Sequence, residues 1–185
     1  MALFQQKYRI ESVRLPGWNY AAAGWYFVTI CTRERRCFFG DVVDERVYLS
    51  AMGDIAHRCW EDIPCHFSKA HLDVFVLMPN HLHAIIVIED TRRDIASRRD
   101  VACNVSTPMA EISPWPGSLS VIVRSYKSAV SRLCHMNGHR DFAWQPRFYD
   151  HIIRDERSLH DIREYIINNP TKWELDKDNP ENLFM

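Results

Sequence analysis

LDVFVLMPNHLHAIIVI, residues 72–88, is the stretch on which the fold turns. Leu72 to Met78 and His81 to Ile88 are two runs of β-branched and large apolar residues separated by Pro79-Asn80. Such runs around a short turn predict a β-hairpin, although Pro79-Asn80 is not the Asn-Gly pair of the strongest hairpin signal. Upstream, GWYFVTIC (24–31) predicts another strand, apolar enough to be buried on both faces. Phe38 and Phe39 end at Gly40 as a short strand or turn, and Phe148 to Ile153 reads as a further strand. Three helices lie between and after these strands. Met52, Ile55, Ala56, Cys59 and Trp60 fall on one helical face over residues 50–62, with Ser50 as N-cap and Pro64 barring continuation. Residues 118–136 carry the clearest apolar stripe (Leu119, Ile122, Val123, Tyr126, Val130, Leu133, Cys134), closed by Asn137-Gly138. The last helix opens with a capping-box pattern at Ser158-Leu-His-Asp161 and stops at Pro170. A hairpin and further strands mixed with helices predict an α+β domain, an antiparallel sheet with helices packed on it.

At 185 residues the chain has room for one sizeable domain, spanning 1–185. Its 46% hydrophobic and 12% aromatic residues suffice for a core. Residues 89–117 are polar and hold three prolines, which predicts a mobile loop at about 90–117. No apolar run approaches the ~18 residues of a membrane span, and MALFQQKYRI has no signal-peptide apolar region, so the expectation is a cytoplasmic protein with no membrane partner. Six cysteines form no C-x-x-C pair, which favours reduced thiols. A metal site of Cys59, Cys65, His57 and His66 competes with small buried thiols in a helix and loop.

The formal net charge of −1 excludes a globally basic nucleic-acid coat but not a local basic groove. Residues 1–40 carry six basic and two acidic side chains, and residues 117–157 seven and four. Acidic residues gather in 41–116 and in the tail.

Three groups of residues carry chemistry. In His81-Leu82-His83, alternation sends both imidazoles to one side of a strand and Leu82 to the other, and two histidines so placed can bind one metal ion. The plainer reading is two histidines held by backbone partners. Tyr165 and Asn169, four apart, share a helix face. A phenol with a pKa of about 10 is a weak nucleophile at neutral pH, and a nearby metal ion would polarise its electrophile. Asn169 offers an amide oxygen as a third ligand. Periodicity alone instead packs Tyr165 with Leu159, Ile162 and Ile166. Tyr126, the other tyrosine on a basic helix, sits on an apolar stripe and reads as packing. Finally, Arg124, Lys127 and Arg132 line the polar side of helix 118–136, with Trp144, Arg147 and Arg154 following. Basic groups among aromatics suit single-stranded or hairpin nucleic acid, through phosphate pairing and base stacking.

These residues resemble the single-tyrosine HUH transposases, specifically the REP-associated tyrosine transposase branch. The resemblance runs through YRIESVRLPGWNYAAAGWYFVTICTRERRCFFG, LDVFVLMPNHLHAIIVI, IVRSYKSAVSR and WQPRFYDHIIRDERSLHDIREYIINNPTKW. It puts the HUH motif on His81-Leu82-His83, the nucleophile on Tyr165 and the third metal ligand on Asn169. It implies a ferredoxin-like HUH endonuclease fold, a Mg²⁺ or Mn²⁺ cofactor and a single-stranded or hairpin DNA partner, with Arg124, Lys127, Arg132, Arg147 and Arg154 as candidate DNA contacts. The implied reaction is transesterification through a 5′-phosphotyrosine link and a free 3′-hydroxyl, by a monomer or homodimer. The alternative is a protein that binds hairpin DNA without cutting it.

Overall fold

In the computed structural model, residues 20–89 and 117–175 are described; the loop expected at about 90–117 falls almost wholly outside them. β1 (Gly24–Cys31) is followed by a single 3₁₀ turn at Arg33–Arg35 and a small hairpin of β2 (Gly40–Val43) and β3 (Arg46–Leu49). Next come α1 (Ala51–Glu61), a one-turn α2 (Ile63–His66), β4 (Ala70–Met78) and β5 (His81–Ile88). The second part holds α3 (Leu119–Met136), β6 (Tyr149–Ile153), α4 (Glu156–Ile167) and a 3₁₀ segment at Pro170–Leu175. The main sheet has the order β4-β5-β1-β6 with every pairing antiparallel, so the expected α+β architecture is the observed one.

Alternation along the strands builds two cores. Tyr26, Val28 and Ile30 of β1 and Leu82, Ala84 and Ile86 of β5 face α1 and α3. Phe27 and Ile85 face the other way and pack with Ile153 of β6 and Ile166 of α4. β4 departs from simple alternation. A register shift between Leu72 and Phe75 sends Leu72, Phe75 and Leu77 to the first core, and Val74 and Val76 to the second. An extra residue in one strand re-aims everything beyond it, which lets one strand serve both layers.

Local chemistry fixes the element ends. Ser50 Oγ accepts from Gly53 N at 3.1 Å and donates to the Phe38 carbonyl at 2.6 Å, tying the start of α1 to the segment that leads into β2. A Cβ at Gly53 would strike the Phe39 carbonyl, so this helix position requires glycine. α1 ends at Glu61, and Pro64 starts one further turn at a new angle because it lacks the N–H a continuing helix needs. Two expectations need correction. The β2–β3 hairpin was not foreseen: its turn residues Asp44 and Glu45 both adopt positive φ (49° and 61°), a conformation that Asn-Gly normally advertises. α4 begins earlier than the Ser158 capping box, because the Asp155 carboxylate accepts from Ser158 N at 2.8 Å and takes the N-cap position itself.

α4 lies on the sheet through a narrow apolar stripe, Ile166 with Leu159 and Ile162. A polar clasp reinforces it: Arg163 Nε donates to Asp73 Oδ2 on β4 at 2.7 Å, and the guanidinium lies 5.4 Å from the Trp25 ring. Both partners are partly exposed, so Asp73→Asn should cost only about 0.5–1 kcal/mol in urea unfolding while speeding amide exchange selectively in α4. Tyr126 lies in the first core, 2% exposed, edge-on to Trp60 at 5.0 Å, and its hydroxyl has no hydrogen-bond partner. A buried hydroxyl without a partner opposes folding. Tyr126→Phe should therefore leave stability unchanged or raise it by about 1 kcal/mol, as thermal unfolding would measure.

Candidate functional site

The second face of the sheet, under α4, holds the paired histidines. His81 and His83 point there, two residues apart on β5, their ring centroids 4.4 Å apart. The register places His83 opposite Thr29 and His81 opposite Cys31 on β1. Thr29 Oγ1 hydrogen-bonds His83 Nδ1 at 2.8 Å, and Phe27 stacks on the same ring at 5.5 Å and 25°. His83 Nε2 lies 3.1 Å from the Tyr165 hydroxyl. Tyr165 is edge-on to Phe27 at 6.2 Å and 40% exposed, so it does not pack inward with Ile166, which is 1% exposed. It presents its phenol at the rim of the histidine pair.

His81 is fully buried. Its Nδ1 meets Asn80 Oδ1 at 2.8 Å, and Trp173 of the last 3₁₀ segment covers the ring at a centroid distance of 6.1 Å. Asn169, just beyond the end of α4, is 2% exposed. The turn that delivers it is closed by Asn168, whose amide donates to the Glu164 carbonyl at 2.8 Å. His81 Nε2 and Asn169 Oδ1 are both buried without a hydrogen-bond partner. Burial, then the charge of Arg35, lowers the His81 pKa from 6.5 to about 3, while the Asn169 side chain opposes the shift. The amide opposes the shift because its oxygen would accept a hydrogen bond from the protonated ring, so two polar groups face one dry space in which the ring's proton is disfavoured.

The four residues read from the sequence as catalytic or metal-binding therefore converge. The basic set divides. Arg124 and Arg132 are exposed on α3, across the sheet from the histidines, and Arg132 lies within electrostatic reach of Cys59. Lys127 is not a free cation on a polar face: its Nζ donates to Gln145 O at 2.6 Å and Arg147 O at 2.8 Å, and burial lowers its pKa to about 8. Trp144 is no stacking platform. It is 9% exposed, packs with Phe39 and Phe142, and its indole N–H donates to Lys127 O at 3.1 Å. Arg147 and Arg154 are exposed and flank the two ends of β6, with Arg154 lining an open groove along that edge strand. The alternative cysteine site has no support: among the described residues no three His, Cys, Asp or Glu side chains gather as a metal site, and His57 pairs with Glu61 at 3.2 Å. Burial instead raises the Cys59 and Cys134 pKa values, Cys134 to about 11, as befits inert thiols. Sequence reasoning passed over Thr29 and Asn80. The available signals were a lone hydroxyl in the apolar run of β1 and an amide adjoining the first histidine.

No family model matches the chain. It is 39% identical over 172 residues to an uncharacterized protein of Haemophilus influenzae, an alignment covering 90% of this chain and 91% of that one. Among solved structures, a REP-associated tyrosine transposase bound to a REP hairpin superposes with a TM-score of 0.55 at 19% identity, covering 93% of this chain and 74% of that one. The two share a fold. A Deinococcus radiodurans protein provisionally designated a transposase aligns at a TM-score of 0.42 and 17% identity, too loosely to carry an argument. Among the described residues no helix is long and apolar enough to cross a membrane.

The buried His81 has a consequence in solution. Between about pH 6.5 and 3 the unfolded chain binds a proton at this ring that the native protein refuses. The unfolded state then holds more protons, so stability falls as pH drops through that window and levels off below it. Urea unfolding at pH 7, 5.5 and 4 should display the decline, and His81→Asn should make it shallower.

Proposed function

The chain belongs to one family with the Haemophilus influenzae protein, and from its transposase fold and its convergent side chains we propose that it cuts and rejoins single-stranded DNA beside hairpins. The nucleophile is Tyr165. The observation that carries this reading is the meeting of His81, His83, Asn169 and Tyr165, which come from two distant parts of the chain, on one face of the sheet. The REP-associated tyrosine transposase of the same fold is itself bound to a REP hairpin, which supports DNA as the partner here.

The donor set suits a divalent cation. His81 Nε2 and Asn169 Oδ1 are buried and unpartnered, and His83 adds a second imidazole. Mixed nitrogen and oxygen donors accept Mn²⁺ or Mg²⁺, imidazole tilting the preference toward Mn²⁺. Such an ion, when bound, neutralises phosphate charge and makes phosphorus more electrophilic. The protein's own residues supply the rest. The Tyr165 hydroxyl lies 3.1 Å from His83 Nε2, the nitrogen that His83 would offer a metal. One nitrogen could not serve both, so metal binding at His83 would free the phenol for the phosphate. Phe27 and the Arg163–Asp73 clasp hold that ring and its helix in place. In the transfer, the tyrosine oxygen bonds to phosphorus, the bond to the 3′-oxygen breaks, the phenol proton passes to solvent and the leaving oxygen takes up a proton. One phosphodiester replaces another, so rejoining by the reverse attack requires no nucleotide cofactor. Positioning and electrostatics then provide most of the acceleration.

The test uses a hairpin oligonucleotide with single-stranded flanks, labelled on the 3′ side of the flank, with Mn²⁺ or Mg²⁺. Wild-type protein should yield a covalent adduct that survives denaturing electrophoresis and disappears with EDTA. Tyr165→Phe should abolish the adduct and Tyr126→Phe should keep it. An adduct formed by Tyr165→Phe would disprove the assignment of the nucleophile. Tight hairpin binding by wild-type protein with no adduct under either metal would favour the non-cleaving alternative.

A further inference from the structure

Asn80, 1% exposed, occupies the second position of the two-residue β4–β5 turn, and its polar atoms reach three parts of the chain. Its Nδ2 donates to the Arg35 carbonyl at 3.0 Å. Its main-chain oxygen accepts from Thr32 N at 2.9 Å and from Thr32 Oγ1 at 3.0 Å. Its Oδ1 meets His81 Nδ1 at 2.8 Å.

These bonds determine where a proton sits. A carbonyl only accepts, so the amide must turn its nitrogen to Arg35 and its oxygen to His81. An amide oxygen also only accepts, so His81 Nδ1 must carry hydrogen. In a neutral imidazole the other nitrogen, Nε2, is then a bare lone pair. That is the buried, unpartnered atom on the site side of the ring. The clamp extends further. The Arg35 carbonyl belongs to a turn in which Glu34 and Arg35 both hold positive φ (56° and 54°), conformations that cost energy for such side chains. Thr32 Oγ1 also lies 2.7 Å from the Arg36 carbonyl and shares its one hydrogen between that oxygen and the Asn80 carbonyl, so Asn80 and Thr32 pin the turn from two sides. One buried amide thus joins the histidine pair to an arginine-bearing turn at the end of β1.

We propose that Asn80 is a positioning residue for the site, fixing the tautomer and ring orientation of His81 so that Nε2 is offered as a ligand, and holding the Thr32–Arg36 turn beside it. The inference rests on the metal-dependent reading above and deepens it. Partners that orient a ligating histidine through its second nitrogen typically contribute 10- to 100-fold in metal affinity.

The test begins with metal-free wild-type protein and needs no activity. Long-range ¹H–¹⁵N NMR should find His81 protonated at Nδ1 and bare at Nε2; a proton on Nε2 would overturn the proposal. In Asn80→Ala, once circular dichroism shows it folded, the tautomer should become mixed and Mn²⁺ affinity should fall about 10- to 100-fold. Asn80→Asp retains an acceptor for Nδ1 and should restore both the tautomer and most of the affinity. A folded Asn80→Ala with unchanged tautomer and unchanged Mn²⁺ affinity also overturns it. Should Asn80→Ala not fold, the wild-type spectrum and Asn80→Asp still decide. Wild-type protein that takes up no Mn²⁺ would sink the metal reading instead, a failure separate from that of the tautomer measurement.

Discussion

Everything at the site depends on the two-residue alternation of β5 while it is hydrogen-bonded on both edges. Paired with β4 on one side and β1 on the other, the strand cannot slip by one residue without moving its whole apolar set to the wrong core. Leu82, Ala84 and Ile86 anchor the register from the side of α1 and α3. His81 and His83 must therefore emerge on the other side, next to Ile85. Burial of the three apolar residues, worth roughly 1.5–3 kcal/mol for each large one, fixes the direction of two polar residues that would not choose a dry environment themselves. The histidines are placed by their neighbours' packing.

Holding two imidazoles there requires partners for each ring. The cross-strand pairing supplies Thr29 to His83, and the turn supplies Asn80 to His81. Each bond occupies a ring's Nδ1 and leaves Nε2 toward the site. His83 Nε2 shares a hydrogen bond with Tyr165, whereas His81 Nε2 faces the Asn169 amide without a well-formed hydrogen bond. The site is thus satisfied around its perimeter and incomplete at its centre, where an unpaired buried acceptor is costly. α4 is attached more lightly than any core strand, by a short apolar stripe and the Arg163–Asp73 clasp. Under the proposed reaction, that would suit a helix whose tyrosine reaches a phosphate and whose end presents Asn169.

Much of this was legible in the sequence because the informative patterns are short-range. The hairpin at 72–88, the Ser50 cap and the stripe of α3 depend on residues within a few positions of one another, and each was found where its period put it. What escaped depended on distant contacts or backbone conformation. Strict alternation would group Leu72, Val74 and Val76 on one face, but the bulge before Phe75 separates them to satisfy two cores. The turn at Asp44-Glu45 uses left-handed backbone without glycine. Lys127 and Trp144 looked like a cation and an aromatic for nucleic acid. Tertiary packing used them instead as a paired brace, the indole donating to the lysine's carbonyl and the lysine closing the chain after Trp144. The convergence of His81, His83, Tyr165 and Asn169 was anticipated by motif, whereas the buried polar atoms at its centre could be identified only from the fold.

Under the proposed metal reading, charge would favour asparagine over aspartate at position 169. Two neutral imidazoles and a neutral amide would leave a bound divalent ion with its full formal charge, whereas an aspartate would halve it. A phosphodiester carries one negative charge and gains more in its crowded transition state, so an undiminished cation is the better partner for it. The same neutrality would weaken the hold on such an ion, since no ligand would carry a negative charge. Burial compensates in part: the donors lie in a region where an ion–dipole contact is screened far less than in water. Arg35, close enough to depress the His81 pKa, adds a second positive charge on that side. Under the proposed reaction, such a site would hold a metal modestly when alone and more firmly once an anionic strand is present, which would make DNA part of the metal's coordination environment and give a near-neutral protein a reason to grip one short segment rather than duplex at large.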